Sequence, residues 1–145
     1  MKIEVFHMIN YETGKNTYVA TRALRERCAQ TMHKVHMAPI DADVLMRMIE
    51  GNAVDLKKVL AMPEVCCREP IILIRLGTSE PPVVMIADGH HRYWRAAAAL
   101  KRTIPAYLIE EVEWRQFEVP GPQFTREEHR ARAPGTRVQL CPAMK

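Results

Sequence analysis

Cysteine is scarce in this chain, four residues in 145, and no Cys-x-x-Cys pair occurs. Cys28, Cys66, Cys67 and Cys141 are scattered, and the adjacent Cys66 and Cys67 cannot readily bridge to each other. A disulfide framework is thereby excluded, and reduced thiols in a cytoplasmic setting are expected. No apolar run approaches membrane-spanning length, so no membrane partner is expected. Met1-Lys2-Ile3-Glu4-Val5 puts an acid where a signal peptide would need its apolar core. No internal repeat is visible. Charge of one sign is also in short supply. Lys and Arg number 21 against 17 acids, and a net +4 permits a polyanionic partner without requiring one.

The hydrophobic share of 48% argues against wholesale disorder. The length suits one domain that buries a core without disulfides or metals. The patterning predicts an α/β (α+β) fold, a small mixed sheet with packed helices. Lys2 to Ile9 reads as a strand and residues 11–16 as a turn. Thr17 to Met32 reads as a helix, with Val19, Ala20, Ala23, Leu24 and Cys28 as its apolar stripe and Arg22, Arg25, Glu26 and Arg27 on a solvated face. Val35 to Ile40 is a short strand. Asp41 caps a helix whose Val44, Leu45, Met48 and Ile49 face the core, and Gly51 ends it. Val54 to Met62 is a further helical turn or two. Glu69 to Leu76 and Val83 to Ala87 are strands joined by a hairpin-like loop, hence antiparallel. A helix runs from His90 to near Arg102, and Ile104 to Ile109 closes the sheet, with Pro105 suited to an edge or a strand start. Trp114 and Phe117 are candidates to dock on the core. Thr125 to Arg132 reads as a short helix, followed by a loose end.

The chemistry concentrates at Asp88-Gly89-His90-His91-Arg92, between the Val83 strand and an alanine-rich helix. A strand that turns on glycine into a helix presents bare backbone N–H groups and the positive end of the helix dipole, a natural anion site. His90, His91 and Arg92 add three candidate cationic donors on that turn. Crowding of the two imidazoles against the dipole lowers their pKa values, so pH-dependent binding is expected. The plain alternative makes Asp88 a cap, Gly89 a turn residue and the basic side chains a wet helix end.

The run Val84-Met85-Ile86-Ala87-Asp88-Gly89-His90-His91-Arg92-Tyr93-Trp94-Arg95-Ala96-Ala97, with Ile104-Pro105-Ala106-Tyr107-Leu108-Ile109 after it, resembles the ParB/sulfiredoxin superfamily. Glu69-Pro70-Ile71-Ile72-Leu73-Ile74 is similar to the preceding strand of that family, and Val35 to Glu50 to its opening strand and helix. The resemblance covers residues 34–110, leaving 1–33 and 111–145 as additions. It implies that Gly89, His90, His91 and Arg92 contact the phosphates of ATP or another nucleotide while Asp88 orients the turn or a metal-bound water. Sulfiredoxins carry a catalytic cysteine in this turn, where His90 and His91 stand, so sulfinic-acid reduction is not implied. Partitioning ParB proteins append a helix-turn-helix and a dimerisation domain, for which the residues after Ile109 are too few. Asp-Gly-His-His-Arg is closest to the free serine kinases of the superfamily. Small plasmid and phage members are associated with ATP hydrolysis and DNA cleavage.

Turnover needs a carboxylate, as general base for a kinase or as Mg²⁺ ligand for a nuclease or NTPase. Asp41, Asp43 and Glu50 are the candidates, Asp41 and Asp43 ahead of Glu50. Glu69 borders the same cleft. A cap is the simpler role for Asp41, and an acid in a first helical turn is stabilising whatever the function. Cys28, His33 and His36 hint at a metal site, but His36 alternates with Val35 and Met37 in a strand, so none is assigned. For DNA, Arg92, Arg95, Lys101 and Arg102 with Tyr93 and Trp94 could form a basic stripe with aromatic surface. Equally, the arginines could pair with nearby acids. The leading reading is a nucleotide-binding protein coupled to hydrolysis or action on DNA. A small-metabolite kinase using the same clamp is the alternative, and a non-catalytic interaction module the third.

Overall fold

The computed structural model of the chain describes residues 4–9, 13–51, 53–78, 80–125 and 127–128. Cys141 and most of the expected Thr125 to Arg132 helix lie outside them. The architecture is mixed α and β, with two small sheets and packed helices. In chain order the elements are β1 (Val5–Ile9), β2 (Asn16–Ala20), α1 (Thr21–Gln30), β3 (Val35–Pro39), α2 (Ala42–Glu50), α3 (Leu56–Ala61), a 3₁₀ turn (Glu64–Arg68), β4 (Ile71–Leu76), β5 (Val83–Asp88), α4 (His90–Ala98), β6 (Thr103–Ile109), α5 (Glu111–Trp114), a second 3₁₀ turn (Arg115–Phe117) and β7 (Glu118–Val119).

The central sheet has four strands in the order β3-β6-β4-β5, with β4 parallel to β6 and the other pairs antiparallel. Both faces of its inner strands β4 and β6 carry core residues, which explains the unbroken apolar run Ile71-Ile72-Leu73-Ile74. Ile71, Ile104 and Ala106 point into one core with Met48, Val54, Tyr93 and Ala96 from the helices. Ile72, Ile74 and Ile109 point into the other, with Val19, Leu24, Cys28 and Trp114. The second core is roofed by a three-stranded sheet, β1-β2-β7. The N-terminal and C-terminal additions thus meet in one layer, with Tyr18 opposite Val119.

Three expectations need correction. Thr17 to Ala20 is strand, not helix: Thr17, Tyr18 and Val19 favour extended backbone, and β1 and β7 supply its hydrogen bonds. The helix starts only at Thr21. Next, α4 stops at Ala98 rather than near Arg102, because Leu100 adopts a left-handed φ of 61° and Lys101 N–H turns back to the Ala96 carbonyl at 3.0 Å. Pro105 is the third residue of β6, among that strand's first residues as expected, although β6 is an interior strand. The Ile40 N–H to Arg102 carbonyl bond sets the alternation between β3 and β6, which makes Met37–Pro105 a non-hydrogen-bonded pair. The proline nitrogen faces β4, whose pairing with β6 begins only at Ile71 and Ala106. The missing N–H therefore costs no ladder bond. Ile49, expected in the core, is 37% exposed.

Candidate functional site

β5 ends at Asp88, and the chain reverses at Gly89 with φ of 105° before entering α4. Only glycine suits this position. A Cβ here would fall 2.4 Å from Ile71 Cγ2, and the backbone is left-handed besides. No side chain caps α4. Its first intrahelical bond runs from Tyr93 N–H to the Gly89 carbonyl at 2.9 Å, so the N–H groups of His90, His91 and Arg92 precede the helical ladder.

Two more helices enter beside this turn. At the start of α2, Asp41 N–H donates to Tyr93 Oη at 2.7 Å, and Tyr93 Oη donates in turn to the Pro39 carbonyl. At the start of α3, Asp55 N–H donates to His91 Nε2 at 3.0 Å. Side chains from the first turns of α4 therefore hold the entry ends of three helices together. α2 is capped by Asp41, which accepts from Asp43 N–H, and α3 by Asp55, which accepts from Lys57 N–H. α4 alone of the three lacks a side-chain cap.

The structure gives the motif residues unequal roles. Arg92 is 8% exposed and turned inward. Its Nη1 donates to the carbonyls of Glu69 and Pro70 at 2.7 and 2.9 Å, and its Nη2 to Asp88 Oδ2 at 3.3 Å. This differs from the expected phosphate clamp: the arginine bolts the α4 entry to the start of β4. Asp88 also accepts from Arg25 of α1 at 2.5 Å, although Arg25 reads as a solvated residue in the sequence. Burial depresses His90 to a pKa of about 4, with His91 pushing the same way and Asp88 opposing. Like-charge crowding contributes, as expected, but desolvation dominates. His90 is thus neutral at pH 7, and its ring stacks on Phe6 of β1 at 6.4 Å between centroids. His91 accepts at Nε2, so in this arrangement it too lacks a proton there.

Among the carboxylates, Asp41 is engaged as the α2 cap, Asp43 is exposed in the first turn of α2, and Glu50 is exposed at the opposite end of that helix. Of the two readings of the basic residues on and after α4, a stripe or internal pairing, Arg92, Arg95 and Lys101 follow the second, while Arg102 is exposed. Arg92 points inward, Arg95 Nε donates to the Met62 carbonyl at 2.8 Å, Lys101 pairs with Glu64 at 3.2 Å, and Tyr93 is buried. A groove of 670 Å³ lined by Arg68, Lys101 and Arg102 lies beyond the C-terminal end of α4, and one of 290 Å³ borders β2 and β7; neither touches residues 88–92.

Asp55 and Tyr93 are the site residues that sequence reasoning missed as such. Asp55 carries a signal, a capping aspartate directly before Leu56-Lys57-Lys58. Tyr93 carries none beyond its place in the apolar stripe.

No family model, curated protein or solved structure matches this chain. Among the described residues, no helix is long and apolar enough to cross a membrane.

Proposed function

We propose that this protein binds a phosphorylated small ligand, a nucleotide such as ATP in the reading that the resemblance gives, with a phosphoryl group at the entry of α4. One observation carries the reading: α4 begins on a left-handed glycine without a side-chain cap, beside the entry ends of α2 and α3. Backbone N–H groups and the dipole at such a place attract an anion without any cationic side chain. Recognition therefore rests on the amides of residues 89–91, with neutral imidazole N–H groups as further donors. Arg92 and Arg25 act as positioning residues, since both hold Asp88 and so fix the turn.

Hydrolysis, kinase chemistry and action on DNA are a further step. Of the three carboxylates, exposed Asp43 is the best placed for Mg²⁺ or as a general base, because Asp41 is taken as a cap and Glu50 is a helix length away. The compartment in this reading is cytoplasmic, where Cys28, Cys66 and Cys67 stay thiols. The test is a melting-temperature panel of ATP, ADP, CTP, pyrophosphate and sulfate, each with and without Mg²⁺. A ligand that binds only the folded chain raises Tm with concentration. A rise for phosphorylated compounds supports the proposal, and a flat panel removes it.

A further inference from the structure

On the other face of the sheet, far from Gly89 in sequence, three side chains with metal-ligating atoms meet. Cys28 Sγ from α1, a ring nitrogen of His33 from the loop before β3 and a carboxylate oxygen of Glu113 from α5 lie within 4.8 Å of one another. Cys28 is fully buried and a free thiol, while His33 and Glu113 are 24% and 31% exposed, so the cluster has a closed floor and an open mouth.

The hydrogen bonds around His33 decide what the cluster is prepared to hold. Thr31 Oγ1 donates to the Arg27 carbonyl at 2.8 Å, which uses its only proton. It can therefore only accept from His33 Nδ1, 2.6 Å away, so Nδ1 carries the hydrogen. In a neutral ring, Nε2 then presents a lone pair toward Glu113 Oε1 at 2.5 Å, itself an acceptor. Two acceptors at that distance need a positive charge between them, either a proton or a metal ion. A ring nitrogen fixed by an outer hydrogen bond, with its partner nitrogen facing a prospective ligand sphere, is the usual arrangement around bound zinc.

We propose that Cys28, His33 and Glu113 form a zinc site. One sulfur, one nitrogen and one oxygen suit zinc, whose bonds of about 2.0–2.3 Å require ligand separations of roughly 3.3–3.8 Å in a tetrahedron. The carboxylate and imidazole must part by about 1 Å to admit the ion, a movement their partial exposure allows. Binding releases the Cys28 thiol proton and the proton between His33 and Glu113 to solvent, and leaves the fourth position to water. The site joins the end of α1 to α5, tying the N-terminal addition to the C-terminal one. In the sequence His33 stands nearest His36, which lies exposed on β3, while its partner Glu113 is eighty residues away and carries no local signal.

The test uses the full chain, reduced and stripped with chelator, titrated with Co²⁺ and then Zn²⁺. One cobalt per chain is expected, with a near-ultraviolet thiolate-to-cobalt absorption that zinc abolishes. The signal survives replacement of Cys66, Cys67 and Cys141 by serine and is lost in Cys28→Ser. Because Cys28 is in the core, His33→Gln and Glu113→Gln, both at the open mouth, provide the second arm. Each is expected to weaken cobalt binding at least tenfold. No thiolate-to-cobalt band in the parent chain, or an unchanged affinity in His33→Gln and Glu113→Gln, overturns the proposal.

Discussion

The backbone N–H of Asp55 donates to Nε2 of His91 at 3.0 Å, so a histidine in the first turn of one helix satisfies the entry of another. A residue that looks like a ligand donor in the sequence is here a structural acceptor. His91→Ala leaves that N–H to solvent and uncouples α3 from α4. A loss of about 1 kcal/mol is expected, checked by urea unfolding.

Arg92 gives a larger effect for a related reason. Arg92→Ala strips a partner from the Glu69 and Pro70 carbonyls and from Asp88 at a site that is nearly dry. Destabilisation of about 2–4 kcal/mol is expected, since a buried charge network is losing its cation. The midpoint of denaturant unfolding should fall accordingly. A midpoint unchanged from the parent would mean that the guanidinium faces solvent.

His90 sets a pH dependence whose sign is fixed. Its pKa is about 4 in the folded chain against an ordinary 6.5, so the unfolded chain binds more protons between those values. The stability it contributes is complete above pH 6.5 and is lost as pH falls toward 4, by up to about 3 kcal/mol. Unfolding free energies at pH 7 and pH 5 should differ less in His90→Gln than in the parent. Ligand binding should also be flat in His90 protonation from pH 5.5 to 8, since the ring stays neutral throughout.

Much of this region is legible in the sequence. The β4–β5 hairpin, the glycine reversal, the start of α4 and the Asp41 cap all follow from short-range signals. What escapes is non-local. Val19, Leu24 and Cys28 do share one core as their spacing suggests, but Val19 reaches it from a strand whose partner β7 lies about a hundred residues on. Period alone cannot separate a strand running into a helix from one longer helix. The inward turn of Arg92 escapes for a similar reason: the carbonyls that accept from it belong to residues 69 and 70, at the start of another strand.

Leu100 offers a stabilising change. It is 90% exposed and holds a left-handed φ of 61° at the end of α4, where a Cβ is a liability. Leu100→Gly is expected to raise stability by about 0.5–1 kcal/mol, the strain relieved less the extra freedom of the unfolded chain. Thermal unfolding measures it.

If a phosphoryl group sits at the mouth of α4, the backbone amides there feel it first. Backbone ¹H–¹⁵N resonances followed during titration with ATP and with pyrophosphate test it residue by residue. Saturable shifts are expected at Gly89, His90 and His91, with the Arg92 side chain still on its internal carbonyls. Shifts confined to other parts of the chain, or none at all, would contradict that placement.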